Sequence, residues 1–257
     1  MPDINSDLLK EVEIELEKSQ VGLPYNFHTQ SGTHKGFVRD INEDSFYVDE
    51  KQGLWLVADG MGGHARGNEA SAVVVDNVRS FRCLETLIEN IKDLETRFLL
   101  SNNVCRTMYQ KKVIGSTVAA FLTYQTLAIF LWAGDSRIYR LRDGALALMT
   151  EDHSLVQERF RRGEMTRDEA QIHPSANVLT RAIGIHQNLR IEMEIAAIQP
   201  GDRYLISSDG LYRDFMFDEV KEMLSDAVVE HILDKMISEA LRRGGKDNIT
   251  GVLVHVA

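Results

Sequence analysis

STVAAFLTYQTLAIFLWAGDSRIYRLRDGALALM, from Ser116 to Met149, decides the fold class of this chain. Four strand-like runs stand in it, Ser116 to Leu122, Thr126 to Ala133, Arg137 to Leu141 and Ala145 to Met149, joined by links of a few residues. The Arg142-Asp143-Gly144 link has the chemistry of a tight turn. A parallel crossover needs a dozen residues or more, so these strands are predicted to be antiparallel neighbours in one meander. The first two lie within Val113 to Gly134, 22 residues without a charge and long enough to span a bilayer. Thr117, Thr123, Gln125 and Thr126 interrupt that stretch, and its Thr-Tyr-Gln-Thr centre reads as a turn between two buried strands.

Working outward, Ser45 to Val48 and Leu54 to Ala58 read as a hairpin across Asp49 to Gly53. Asn68 to Phe81 then places Ala70, Val74, Val78 and Phe81 on one helical face, and a second helix is expected over Leu84 to Tyr109. Downstream, His153 to Gly184 is polar, Arg-rich and helix-like, an insertion over a sheet edge. Strands return at Leu189 to Ala196 and Asp202 to Ser207. A helical stripe from Val228 to Leu241 precedes a last strand, Ile249 to Val256. Strands and helices in separate runs point to an α+β layered domain over residues 27 to 257. Residues 1 to 26 form a separate lead, an acidic amphipathic helix with Leu8, Val12 and Leu16 on one face, for docking on the body, the plainer reading, or on a partner.

Composition narrows the function. The chain of 257 residues is 44% hydrophobic and 26% charged, ordinary for a globular protein, and its net charge of -10 argues against a general nucleic-acid binder. Cys83 and Cys105, both expected in helices, make neither a C-x-x-C pair nor a disulfide framework, which fits a reducing cytoplasm. Glu11, Glu13, Glu15 and Glu17 argue against a signal peptide.

The chemistry-bearing residues are acids at strand ends. LWLVADGMGGHARG, from Leu54 to Gly67, delivers Asp59 from an apolar strand into a glycine-rich turn. Glu43, Asp44, Asp135, Asp209 and Asp247 sit in similar settings, each beside Gly, Asn or Ser, and hard divalent cations prefer oxygen ligands of this kind. Gly60, Gly62 and Ala65 match a loose dinucleotide-binding pattern, but Asp59 would set a negative charge against the pyrophosphate and the short links exclude the parallel sheet. Gly244-Gly245-Lys246 is followed by Asp247 and not by Ser or Thr, so it is no P-loop. A cysteine phosphatase fails on the C-x5-R spacing, since Glu89 and Lys111 stand where its arginine would.

In order along the chain, VRDINED (Val38 to Asp44), VADGMGGH (Val57 to His64), AGDSR (Ala133 to Arg137), SSDG (Ser207 to Gly210) and GGKDN (Gly244 to Asn248) closely resemble the motifs of the metal-dependent protein phosphatases, the type 2C serine/threonine phosphatases. TEDHS at Thr150 to Ser154 and NVLTRAIG at Asn177 to Gly184 extend the resemblance, which runs from about Thr33 to the C-terminus, and the DGMGGH form resembles the bacterial branch.

The resemblance implies a four-layer αββα sandwich, two antiparallel sheets flanked by helices, with two manganese or magnesium ions at one end. It implies that Asp59 bridges both metals, that Asp209 and Asp247 complete one, that the Gly60 carbonyl binds the other, and that Glu43 and Asp44 hold metal-bound waters. Arg39 matches the residue that grips the substrate phosphate, a role suited to its planar donor fork. Asp135 matches a residue that, with Asp209, binds a third and weaker metal. His64 is a candidate for protonating the leaving oxygen, beside the plainer reading of a turn-stabilising histidine. Two cations about 4 Å apart lower the pKa of a shared water toward 7, so the implied reaction is in-line attack of a bridging hydroxide on phosphoserine or phosphothreonine, with no covalent phosphoenzyme. The implied setting is cytoplasmic, with phosphoprotein substrates, a cognate serine/threonine kinase pathway, no nucleic acid and no membrane span. The insertion at 153 to 184 would be the flap that contacts the substrate protein. Three positions depart from the family pattern: Asn68 where Glu is common, His34 where Asp is frequent, and Arg213 where Asp often stands, although Asp214 is next to it. The alternative is a pseudophosphatase, a phosphoprotein-binding signalling module on the same fold, against which the complete acidic set and Arg39 weigh.

Overall fold

The computed structural model describes residues 9–14, 25–62, 66–108, 114–166, 169 and 173–257. In chain order these give a helical stretch α1 (9–14), strands β1 (Phe27–His34), β2 (Asp44–Asp49) and β3 (Leu54–Gly62), and helices α2 (Gly67–Val78) and α3 (Leu87–Met108). Then come β4 (Ile114–Ser116), β5 (Val118–Tyr124), β6 (Leu127–Ala133), β7 (Arg137–Arg142), β8 (Ala145–Leu148) and α4 (Leu155–Arg161). The chain closes with β9 (Glu192–Ala197), β10 (Arg203–Ser207), α5 (Asp209–Tyr212), α6 (Phe217–Leu224), α7 (Ile232–Arg242) and β11 (Ile249–Val256).

One sheet runs β1-β11-β10-β7-β8 and the other β2-β3-β5-β6-β9, with β4 beside β3. Every pairing is antiparallel. The predicted single meander is corrected here: β5 and β6 form a hairpin in one sheet, β7 and β8 a hairpin in the other. The three residues Gly134, Asp135 and Ser136 carry the chain between the sheets. Gly134 makes the crossing possible, because at φ +122 a side chain would be strained, and a Cβ would also stand 2.6 Å from Thr117.

Three apolar layers hold the elements. Trp55, Val57, Phe121, Phe130, Tyr204, Ile206, Val252 and Val254 fill the space between the sheets, where Phe121 stacks on Trp55 at 5.1 Å and meets Tyr204 at 4.5 Å. The alternate residues Leu54, Leu56 and Ala58 face α2 and α3 with Val74 and Phe98. On the other side Leu205 and Leu253 meet Leu233 and Met236 of α7. Both faces of each central strand are thus covered, which is why Val113 to Gly134 reads as an unbroken apolar run. The turn predicted inside it forms at Gln125, whose φ is +52.

At the N-terminus, Leu8 and Leu16 lie outside the described residues, but Leu9 is buried, Val12 packs on the core beneath α2 and α3, and Glu13 accepts the Leu87 N–H at 2.7 Å. That carboxylate satisfies a free donor at the start of α3, where negative charge is favoured. Cys105 is buried in α3, whereas Cys83, expected in a helix, lies in the loop before it. Among the described residues no helix is long and apolar enough to cross a membrane.

Candidate active site

β3 changes partner at Asp59. Up to Val57 it pairs with β5, and from Gly60 it pairs with β4. Thr117, between β4 and β5, belongs to neither strand and closes the gap: its N–H donates to the Asp59 carbonyl at 2.8 Å and its Oγ1 accepts the Asp59 N–H at 2.9 Å. The Asp59 carboxylate is therefore set at a break in the sheet with its backbone fully engaged. Directly across the β2–β3 ladder stands Asp44, a like-charged pair that a sheet tolerates poorly. Gly60 and Gly67 let the start of α2 close on this strand, since a Cβ on Gly60 would stand 2.0 Å from the Gly67 carbonyl oxygen. Glu43 accepts the Gly67 N–H at 2.7 Å and so fastens that helix start.

The other sheet supplies the facing wall. Asp209 opens α5 just after β10, Asp247 precedes β11, and Asp135 sits in the crossing between the sheets. Asn248 ties this wall to the loop before β2: its amide donates to the carbonyls of Lys35 at 2.8 Å and Ile41 at 3.0 Å, while its oxygen accepts the Glu43 N–H at 2.8 Å. That loop carries Arg39. Arg39, Glu43, Asp59, Gly60, Asp135, Asp209 and Asp247 line one cavity of about 230 Å³, together with Thr117, Arg213 and Asn248. Asp44 lies buried behind them, accepting the Ser208 hydroxyl at 2.8 Å.

The electrostatics follow from that crowding. Burial, then the charges of Asp44, Asp209, Asp135 and Asp247, push the Asp59 carboxyl well above the usual carboxylate range. Asp44 rises to about 7, chiefly by burial, although the Thr250 and Ser208 hydroxyls pull it back. Asp135 rises to about 8 through burial and the neighbouring Asp209. Asp44 Oδ1 is buried with no partner of normal hydrogen-bond geometry, an acceptor left open next to the cavity.

Two arginines offset part of this charge. Arg39 donates to Asp247 Oδ2 at 2.7 Å, and Arg213 hydrogen-bonds Asp209. Among the described residues no three His, Cys, Asp or Glu side chains stand in a closed coordination group. The acids surround one space, but two of them hold guanidinium groups.

Six of the acids and Arg39 were legible as candidates, and the fold brings them to one end of the sandwich. His64 lies outside the described residues. Asn248, Thr117 and Ser208 were missed as positioning groups, although each is adjacent to, or paired with, a predicted acid. From the insertion, Asn177 and Leu179 reach the cavity. Arg159, Arg161 and Arg162 do not line it; Arg161 pairs with Glu151 at 3.2 Å and Arg162 with Glu158 at 3.5 Å. Of the departures, His34 accepts the Gly36 N–H at 2.9 Å, shaping the turn into the Arg39 loop. Burial raises both thiols, Cys105 to about 11, so neither is primed as a nucleophile.

A family model described as protein phosphatase 2C matches residues 32–253. The chain belongs to the protein phosphatase 2C family. It is, with that family, a serine/threonine protein phosphatase. The serine/threonine phosphatase stp of Listeria innocua is 33% identical over 88% of this chain and 95% of its own length. The solved structure of PppA, described as a key regulatory component of T6SS in Pseudomonas aeruginosa, superposes with a TM-score of 0.81 at 35% identity, over 90% of this chain and 98% of that one. The catalytic domain of the serine/threonine phosphatase PstP, solved with two manganese ions, gives 0.82 at 31% identity over 91% of this chain and all of its own. The sandwich and its two antiparallel sheets are those of the protein phosphatase 2C structures.

Proposed function

We propose that this chain hydrolyses phosphoserine and phosphothreonine on proteins, and that two manganese or magnesium ions are held at its acidic cavity. The observation that carries this reading is the convergence of Glu43, Asp59, Asp135, Asp209, Asp247 and Arg39 on one space, with the carboxyls of Asp59, Asp135 and Asp209 raised by burial and crowding. The donor set fits such ions: it is all oxygen, it carries excess negative charge, and Asp44 leaves one buried carboxylate oxygen open. Asp59, Asp209, Asp247 and the Gly60 carbonyl would be the direct ligands, with Glu43 and Asp44 behind them. Divalent cations bound there would lower the pKa of a water toward 7 and neutralise the oxygens of an in-line phosphoryl displacement.

The chain's own groups do the rest. Arg39 is half-exposed, and the donors its Asp247 bond leaves over can take phosphate oxygens. Asn248 fixes the loop that aims it. Asn177 and Leu179 close the cavity from the flap, which is our reading of residues 153 to 184 within a catalytic domain spanning 27 to 257. His64 is the proposed proton donor to the leaving oxygen. The full acidic set favours catalysis over a phosphoprotein-binding module. A cytoplasmic setting and a cognate serine/threonine kinase belong to the same reading.

The deciding experiment is phosphate release from phosphoserine and phosphothreonine peptides. It should require manganese or magnesium, stop with chelator, and persist in the Cys83→Ser, Cys105→Ser double variant. Metal-independent release, or its loss in a folded double variant, would reject the reading.

A further inference from the structure

Arg213 sits where two acids meet. It follows α5 directly, and its N–H closes the helix on the Asp209 carbonyl at 2.8 Å. Four residues on from Asp209, its guanidinium folds back onto that carboxylate and reaches to 4.0 Å from Asp135. Both acid side chains are nearly buried, at 12% and 10% exposure, while Arg213 keeps 37% and forms part of the cavity wall. The backbone on both sides is locked, because the Tyr212 hydroxyl donates to the Asp135 carbonyl at 2.8 Å.

The adjacent acid offers no replacement. Asp214 is turned away, 3.8 Å from Lys246 and with its carbonyl taken by Arg243, and it does not line the cavity.

We infer that Arg213 fills the cation position between Asp135 and Asp209 with its own guanidinium, so that the cavity takes two divalent ions and has no place for a third. The inference rests on the two-metal reading above. A planar fork bonded to one carboxylate and close to another satisfies oxygens that a third ion would need, and its positive charge repels that ion. A tethered cation is also neither diluted away nor removed by chelator. The charge at this corner of the site is therefore partly offset at every metal concentration, and manganese titration lacks a late, weak phase.

The test is manganese stoichiometry, by isothermal titration and by thermal melts from micromolar to millimolar metal. Wild type should bind two ions, and its melting temperature should plateau once they are bound. Arg213→Asp restores a third carboxylate facing Asp135 and Asp209. It should bind a third, weaker ion, melt lower than wild type in chelator, and keep gaining stability into the millimolar range. Adding Asp135→Asn to Arg213→Asp should return the count to two. If Arg213→Asp does not fold, Asp135→Asn in the wild-type background decides, since the count should remain two. Three ions in wild type, falling to two with Asp135→Asn, would overturn the inference and leave the two-metal reading intact. A folded Arg213→Asp that binds only two would overturn it equally. Wild type that binds no manganese would remove the two-metal reading itself.

Discussion

Strand β10 has an aspartate near each end, and the two live in opposite worlds. Asp202, just before the strand, is buried and fully partnered: Arg142 grips it with Nε and Nη2 at 2.7 Å each, the Gln199 N–H donates at 2.9 Å and the Tyr204 hydroxyl at 2.7 Å. Burial alone would raise its carboxyl, but those bonds, Arg142 foremost, hold it below the usual range. Asp209, just after the strand, is also buried, and its carboxyl is raised, first by that burial and then by the like charge of Asp247, which together outweigh Arg213. Fold stability demands that a buried charge be satisfied, and Asp202 is. Where the chain instead gathers Asp44, Asp59, Asp135, Asp209 and Asp247, it accepts repulsion at one end of the sandwich that bound cations would relieve.

Asp59→Asn would break the comparison most sharply. It removes a proposed direct ligand, so activity should fall by more than the roughly 100-fold that bounds loss of an outer-shell partner. It also removes one of two facing charges. In chelator the variant should therefore melt higher than wild type, whereas excess manganese should stabilise wild type far more. Kinetics with paired melts check both halves. A variant that melts below wild type in chelator would mean that Asp59 is satisfied in the metal-free fold, as Asp202 is.

Asp202→Asn should do the reverse. It leaves the part-buried Arg142 without its charge partner but with the Ala197 carbonyl, so the loss should stay below the roughly 3–5 kcal/mol of a fully buried pair, or on the order of several °C for a domain of this size. Manganese affinity should hardly move. Loss of metal binding in a folded Asp202→Asn protein would show that the two ends are coupled through β10.

The difference between the ends was half visible in the sequence. Strand-end acids beside glycine announced the cavity, and the apolar period announced β11 at Ile249 to Val256, as it folds. What pairing does to those acids was not visible, because it depends on long-range partners. Arg39 meets Asp247 across 208 residues, and Asn248 reaches Ile41 across 207. The crossing at Gly134 to Ser136 was misread for a related reason. A three-residue link fits either a hairpin or a step between sheets, and the long-range pairing of β6 with β9 and of β7 with β10 separates the two. In the lead only Val12 of the predicted face is described, and the bond by which Glu13 takes the first N–H of α3 had no local signal.

The smallest effect separates the two ends by pH. A carboxyl whose folded pKa lies above its unfolded value binds more protons folded than unfolded, so stability falls as pH rises through the interval. For Asp44 and Asp135 that interval runs from the ordinary value near 4 up to about 7 and about 8. Asp202 has the opposite sign and a separate window: its depressed pKa contributes stability above the unfolded value that is lost only as pH falls below about 4. His153, pushed down to about 4 chiefly by burial, favours the fold as pH rises, but only until the free imidazole has itself lost its proton, near 6.5. Melts in chelator between pH 6.5 and 8.5 thus separate the acidic cavity from Asp202 and His153, and are run on the Cys83→Ser, Cys105→Ser background because the raised thiols would add a slope of the same sign near the top of that range. That background should lose stability across the range, by at most about 1.4 kcal/mol per pH unit for each group still titrating. Asp135→Asn should flatten the slope, and saturating manganese should abolish it, since cations bind the ionised acids. A wild-type melting temperature that rises with pH in chelator would mean that the cavity acids are paired as well as Asp202 is, and the contrast between the two ends of β10 would fail.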